Sequence, residues 1–344
     1  MKERRAANAW TRESFYRVHG VSVRVFCDHE QVHERIREHL AAYLGDKEEE
    51  GEAPGVEVEL FYGSRFYPVP LHAKRVLRYS RLRKYYLEGI SYFTDYFSTL
   101  ELDPQGRTLR GNIDPETLKE FGPALFVDLI FNLSLLEALR FHGLYYLHAA
   151  AVVDEQGRGY LFSGNAGSGK TSLALSLVES GYKFISDDTV FLQLAGNKEV
   201  KVLGFMRSLH VPEELLSRFP RFAKPKAYSS YQIGGIRKVR FPVEVFSEEM
   251  TEGVTNPVAV LFPELVEAGT RLIPLSMNEA MARLLPQSMS VTFNPCLARD
   301  HLEALKRVVG HAQGFRLLAG PELKADPKAA AEVMEKVRAR VRGG

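Results

Sequence analysis

Apolar positions along this chain repeat with two periods, and the changes of period mark out its elements. The run Phe15-Tyr16-Arg17-Val18-His19-Gly20-Val21-Ser22-Val23-Arg24-Val25 alternates every second residue, which predicts one or two strands with Gly20 at the bend. Val32, Ile36, Leu40 and Leu44 then recur at four-residue steps, so a helix is expected over 29–44. An acidic loop follows at 46–52, and strand-type segments are expected at 56–62, 75–79, 84–87, 90–96 and 99–102, with Asp103-Pro104-Gln105-Gly106 as a turn signal. Asp114, Pro115 and Glu116 supply an N-cap, a first-turn proline and an early acid for a helix or helix pair that ends near His142-Gly143. Residues 1–142 therefore read as an α+β lobe rich in antiparallel strands, with substrate binding as its candidate role. Residues 143–344 read as a second domain.

The second domain opens with two apolar runs, 147–153 and 159–163, and then the sequence Gly164-Asn165-Ala166-Gly167-Ser168-Gly169-Lys170-Thr171-Ser172. A helical pattern follows to Ser180. Glycines at this spacing let a backbone curl until successive NH groups point at phosphate oxygens, with the positive end of the next helix behind them. In that setting Lys170 reaches the outer phosphates and Thr171 offers its hydroxyl to magnesium. Gly181 stops the helix, and a short β-type segment, 183–186, ends in Asp187 and Asp188. A strand-helix-strand crossover of this length returns the chain parallel to its first strand, so both carboxylates are expected beside the glycine loop. Two adjacent acids allow one to face metal and the other to face an attacking hydroxyl. The residue after them is Thr189 rather than a water-polarising glutamate, which favours transfer to a hydroxyl over hydrolysis.

Leu147-His148-Ala149-Ala150-Ala151-Val152-Val153, the glycine loop and Ser186-Asp187-Asp188 together resemble the catalytic core of the HPr kinase/phosphorylase family, serine kinases with a P-loop related to that of phosphoenolpyruvate carboxykinases. The chain as a whole looks most like members that phosphorylate a serine, often the C-terminal one, of a lasso precursor peptide. The resemblance implies an α/β fold: a P-loop kinase core with a mixed sheet. It implies an ATP- and Mg2+-dependent enzyme in which Lys170 binds phosphates, Thr171 and Asp188 serve the metal, and Asp187 is the base toward the acceptor serine. His148 takes the place of the family's active-site histidine, displaced by about one residue. No counterpart of the glutamate-containing segment that serves the reverse, phosphate-removing reaction follows the acids, which leaves that reaction open. A small-molecule kinase or carboxykinase-like enzyme, and a non-catalytic nucleotide-sensing interaction protein, are the rival classes.

Farther along, 200–205 reads as a strand, 213–218 as a helix and 219–235 as an aperiodic loop able to close over a site. Arg207, His210, Arg237 and Lys238 are candidate contacts for substrate or phosphate. Strands are expected at 258–262, 271–275 and 315–318, and helices at 278–285, 297–309 and 327–342. Residues 74–86 interleave Lys74, Arg75, Arg78, Arg81, Arg83 and Lys84 with Leu77, Tyr79, Leu82, Tyr85 and Tyr86, a stripe that suits an acidic peptide or, more ordinarily, a solvated strand face.

Composition narrows the partners. The chain has 344 residues, enough to bury roughly three quarters of its unfolded surface. With 45 basic and 43 acidic residues its net charge is +2, which disfavours general nucleic-acid binding. Cys27 and Cys296 make no metal spacing and fit a cytoplasmic protein with free thiols. The first residues, Met1-Lys2-Glu3-Arg4-Arg5, carry no signal-peptide pattern, and the most apolar stretch, 121–139, is interrupted by Pro123, Asp128, Asn132 and Glu137, so a buried helix is expected there rather than a membrane span. The expected partner is a peptide or small protein with an acceptor serine, and oligomeric state stays open, a homo-oligomer included.

Overall fold

The alternation at the start of the chain becomes a hairpin whose inward positions, Tyr16, Val18, Val23, Val25 and Cys27, are buried while Arg17 faces out. A computed structural model describes residues 12–45, 54–64, 69–79, 81–205, 209–222, 229–233, 236–246, 248–288 and 294–341. The chain divides into two compact units, Met1–Leu144 with Thr292–Ala298, and Tyr145–Val291 with Arg299–Gly344. The expected acidic loop at 46–52 lies outside the described residues. The fold is mixed α/β with several sheets.

In the first unit β1 (Arg12–Val18), β2 (Val21–Cys27), α1 (Glu30–His39), β3 (Val56–Tyr62), β4 (Lys74–Tyr79), β5 (Leu82–Leu87), β6 (Ile90–Thr94), β7 (Thr99–Leu102) and β8 (Thr108–Ile113) precede α2 (Pro115–Leu125) and α3 (Asn132–Arg140). The strands form one sheet in the order β1-β2-β3-β8-β7-β6-β5-β4. Only the β2–β3 and β3–β8 pairs are parallel. Strand β8 escapes the sequence pattern because Gly111 and Asn112 interrupt its apolar positions, yet it lies inside the sheet with Leu109 and Ile113 buried. Helix α1 ends five residues before the expected Leu44: Leu40 leaves helical geometry, and the chain then pairs back on β1 through Tyr16 and Leu44. Sheet pairing there outweighs continuation of the four-residue repeat.

Pro115–Arg140 forms a helical stretch with a break at Gly122 and a π-helical turn at Phe126–Phe131. It is long and apolar enough to cross a membrane, and 61% of its most apolar window is buried inside the protein. Its interior face carries charge. Glu137 accepts from Arg140 Nη1 at 2.8 Å and lies 3.0 Å from Lys84 Nζ, with all three side chains buried. Burial pulls the Lys84 ammonium down to about 8, against the attraction of Glu137. Burial also works to raise Glu137, but Lys84 and Arg140 outweigh it and hold the carboxyl below its usual range. The basic stripe of 74–86 is thereby divided: Lys84 is interior, Arg81 pairs with Glu120, and Arg83 lies 3.8 Å over the Tyr96 ring, while Lys74, Arg75, Arg78 and Tyr79 are exposed on β4.

The second unit contains β9 (Tyr145–Val153), β10 (Gly159–Ser163), α4 (Lys170–Glu179), β11 (Lys183–Ser186), β12 (Thr189–Leu194), β13 (Val200–Gly204), β14 (Leu209–Pro212), α5 (Glu213–Leu216), β15 (Ser229–Ile233), β16 (Ile236–Phe241), β17 (Gly253–Thr255), β18 (Ala259–Leu265), β19 (Arg271–Leu275), α6 (Met277–Leu284), most of α7 (Pro295–His311), β20 (Gln313–Ala319), α8 (Pro321–Ala325) and α9 (Pro327–Val341). A nine-stranded sheet runs β17-β13-β12-β9-β10-β18-β20-β19, and β11 also pairs with β9. Leu173, Ala174, Leu177 and Val178 of α4 share one apolar cluster with Ala150, Val152 and Phe162 of the sheet and Ala330, Val333, Met334 and Val337 of α9. Each fully buried aliphatic or aromatic side chain there contributes about 1.5–3 kcal/mol, and the cluster fixes α4 against β9 and β10.

One expectation is corrected. The segment 219–235 is not an aperiodic loop throughout: Ser229–Ile233 is a strand that pairs antiparallel with β16, in a small sheet ordered β14-β16-β15. Cross-strand pairing supplies the order that the sequence pattern lacks. Residues 223–228 and 234–235 lie outside the described residues.

The buried triad of the first unit gives an asymmetric prediction. Glu137→Leu strands two interior cations and is expected to cost about 3–5 kcal/mol, whereas Lys84→Met leaves Glu137 matched to Arg140 and is expected to cost less than about 2 kcal/mol. Urea unfolding of both variants measures the difference; equal losses would contradict the charge-matching account.

Candidate functional site

Strand β9 is the spine of the site. Along one side it pairs with β10, Ser163 standing opposite Ala149, and along the other with β11 and β12, where Ser186 stands opposite Ala151 and Thr189 opposite His148. Strands β10 and β11 both run antiparallel to β9 and so point the same way, with β9 between them. The glycine loop leaves β10 at Ser163, and Asp187 and Asp188 occupy the break between β11 and β12. The sheet therefore delivers loop and acids to one edge from either side of a single strand. Gly204 makes room for this: a Cβ at that position would stand 2.2 Å from the Ile185 carbonyl oxygen, two residues before Asp187.

The loop turns into α4 through Gly169, at φ 98° and ψ 8°, a left-handed conformation that side chains other than glycine's resist. Lys170, the first helical residue, is buried and donates to the carbonyl oxygens of Gly164 at 2.6 Å and Asn165 at 3.0 Å. Burial pulls its ammonium below the usual lysine range; Asp188 and Asp187 pull the other way, and Lys238 adds to the depression. Asp188, Asp187 and Lys238 are thus each within electrostatic reach of Lys170.

The acids differ in setting. Asp187 is buried, whereas the Asp188 side chain is 42% exposed. One Asp188 oxygen lies 3.1 Å from His148 Nε2, and the other accepts from the Thr189 hydroxyl at 3.2 Å. His148 Nδ1 lies 3.1 Å from Gln287 Oε1, and the Gln287 amide nitrogen donates to Asn165 Oδ1 at 3.0 Å. Gln287 ends the short turn Leu285–Gln287 after α6 and is buried. Sequence reading missed it. Its one signal is a polar pair, Gln287-Ser288, directly after an amphipathic helix and a proline.

The remaining candidates separate. Lys238, half-buried on β16, reaches the Lys170 field. Its neighbour Arg237 is exposed and pairs with Glu213 at 3.5 Å. His210 sits half-buried on β14 opposite Arg240. Arg207 lies outside the described residues.

These residues fit a nucleotide's phosphates. The Ser168 hydroxyl is a buried polar atom with no hydrogen-bond partner among the described residues, Lys170 is a desolvated cation, and α4 presents the positive end of a ten-residue helix. They fit a magnesium ion only together with phosphate oxygens. Among the described residues no group of three or more His, Cys, Asp or Glu could hold a metal alone, and magnesium takes one or two carboxylates plus phosphate oxygens and water.

No protein-family model matches the sequence, and none of the curated proteins matches it. The solved structure of the Hpr(Ser) kinase/phosphatase from Coxiella burnetii is similar to 57% of this chain and 98% of its own, at 14% sequence identity and a TM-score of 0.31. A likeness at that level leaves any functional reading to rest on the site itself.

Gly169→Ala places a Cβ 3.3 Å from Leu265 Cδ2 at a positive φ. The variant is expected to lose about 1–2 kcal/mol of stability. A thermal denaturation curve that matches the parent protein would contradict the strain at the start of α4.

Proposed function

We propose that this protein is an ATP- and Mg2+-dependent phosphotransferase that moves the γ-phosphoryl group to a serine hydroxyl of a peptide or small protein. The observation that supports this reading is the buried Lys170 ammonium, bound to the glycine-loop carbonyls of Gly164 and Asn165 and lying in the electrostatic field of Asp188 and Asp187. The loop NH groups of 164–169 cradle the phosphates, and Lys170 balances charge on the group in transit. Asp188 and Thr171, together with phosphate oxygens, would hold a magnesium ion, which would supply charge neutralisation. Asp187 orients the acceptor serine and takes its proton as the hydroxyl oxygen bonds to phosphorus and the bond to the bridging oxygen breaks. The displaced diphosphate keeps the electron pair of that bond. A C-terminal serine of a lasso precursor is the acceptor that the sequence resemblance favours.

A second assignment exchanges the acids. Asp188 is the more exposed of the two and is backed by His148 and Thr189, an arrangement suited to receiving a proton at the surface of the site. Asp187 then serves the metal.

The first assignment predicts that Asp187→Asn loses about 10²–10⁴ in kcat while its Kd for ATP stays near the parent's. Lys170→Ala weakens ATP binding and transfer together. Transfer of the labelled γ-phosphate to serine peptides, alongside calorimetric ATP titration, measures both. If Asp188→Asn shows the selective kcat loss and Asp187→Asn the loss of magnesium dependence, the acids are exchanged. Binding of ATP without transfer to any peptide or metabolite acceptor would overturn the enzyme reading, and transfer to a metabolite alone would overturn the peptide acceptor.

A further inference from the structure

We infer that Gln287 is the positioning residue of this site, tying the glycine loop, through His148 of the spine strand, to Asp188 between β11 and β12. The inference rests on the phosphotransferase reading for what is positioned, but the tie itself is geometric. Three hydrogen bonds of ordinary length run in series: Asn165 Oδ1 to Gln287 Nε2 at 3.0 Å, Gln287 Oε1 to His148 Nδ1 at 3.1 Å, and His148 Nε2 to Asp188 Oδ1 at 3.1 Å. Asn165 closes the circuit, because its backbone oxygen accepts from Lys170 Nζ, and Lys170 lies in the field of Asp188. Asn165 of the loop, His148 of the spine strand and Asp188 are therefore linked through one buried amide.

The amide is suited to this in a way a charged or apolar side chain is not. It offers a donor at one end and an acceptor at the other, so a single residue engages both the loop and the histidine. With the Asp188 carboxylate accepting from Nε2–H, exchange of oxygen and nitrogen at both amides, Gln287 and Asn165 together, keeps the bridge and lets Gln287 donate to Nδ1 of the neutral ring. Gln287 is itself placed by the backbone: Pro286 fixes the turn after α6, whose capping box of Ser276 and Glu279 anchors the other end of that helix. Its side chain is nine-tenths buried, so the bridge is sheltered from competing water.

The function of the tie is orientation. Asp188 is part-exposed, with one oxygen on the Thr189 hydroxyl and the other on His148, so the orientation of the His148 ring bears on the direction of its carboxylate. A carboxylate that must face a metal or a hydroxyl at the loop mouth gains from one fixed direction, and the neighbour that fixes a functional side chain typically changes activity by about 10–100-fold when removed.

The test uses the full chain with 15N-labelled histidine. Without added ligand, long-range 1H–15N spectra of the His148 ring, assigned by loss of its signals in His148→Gln, are expected to show two fixed and unequal ring nitrogens. Gln287→Met, which keeps volume and removes both hydrogen bonds, is expected to average that pattern. It is also expected to lower kcat by about 10–100-fold with KM for ATP changed less than about threefold. Gln287→Glu offers acceptors alone, and is expected to drive the ring to the form with hydrogen on both nitrogens, so that the two nitrogens become alike. An unchanged ring pattern in Gln287→Met, or a Gln287→Glu variant that keeps the parent's unequal nitrogens, would overturn the inference. Should the parent protein transfer no phosphoryl group, the enzyme reading fails, while the ring spectra decide the role of Gln287 independently.

Discussion

An ammonium taken out of water must find oxygen atoms to replace it, and the second unit is built around one such ammonium. Lys170 begins α4, where the helix's own positive end already repels a cation. The loop carbonyls of Gly164 and Asn165 supply near contacts, and the carboxylates of Asp187 and Asp188 supply the field. Removing either contribution would leave a buried charge uncompensated, a cost of several kcal/mol. Under the proposed function, a polyphosphate placed at the same loop would answer the same need.

Topology makes that arrangement available. Strand β9 stands between β10 and β11, so the loop and the acids approach from its two sides and meet at its His148–Ala149 level. His148 is on the spine itself and engages Asp188, while Gln287 arrives from the turn after α6 and closes the circuit through Asn165. The same residues would be separate surface features if β11 paired with β13 or β17 instead.

The first unit shows the same electrostatics put to structural use. Glu137 is shared by Lys84 and Arg140 inside the helix-sheet packing, and Asp128 is held well below the usual carboxylate range by His39 and Arg35 despite its burial. Much of the basic stripe that looked suited to an acidic partner is consumed in this way. Its remaining exposed cations, Lys74, Arg75 and Arg78, stand on the edge strand β4, where charge discourages sheet-to-sheet pairing.

Elements carried by neighbouring residues were legible in the sequence. The glycine loop, its following helix and the Asp187-Asp188 pair lie within 25 residues of one another, and their chemistry is written in consecutive side chains. Period-two and period-four patterns located most strands and helices to within a few residues. What the sequence could not determine depends on partners distant in the chain. Strand β8 and strand β15 exist because neighbouring strands accept their hydrogen bonds, although their own patterns are weak. Gln287 meets Asn165 across 122 positions and His148 across 139, so no local spacing could announce it. Local side-chain order sets which chemistry a segment can perform, because loop curvature and helix starts are decided within a few residues. Which segments perform it together was decided only by the tertiary structure, because a hydrogen bond depends on separation in space and not along the chain.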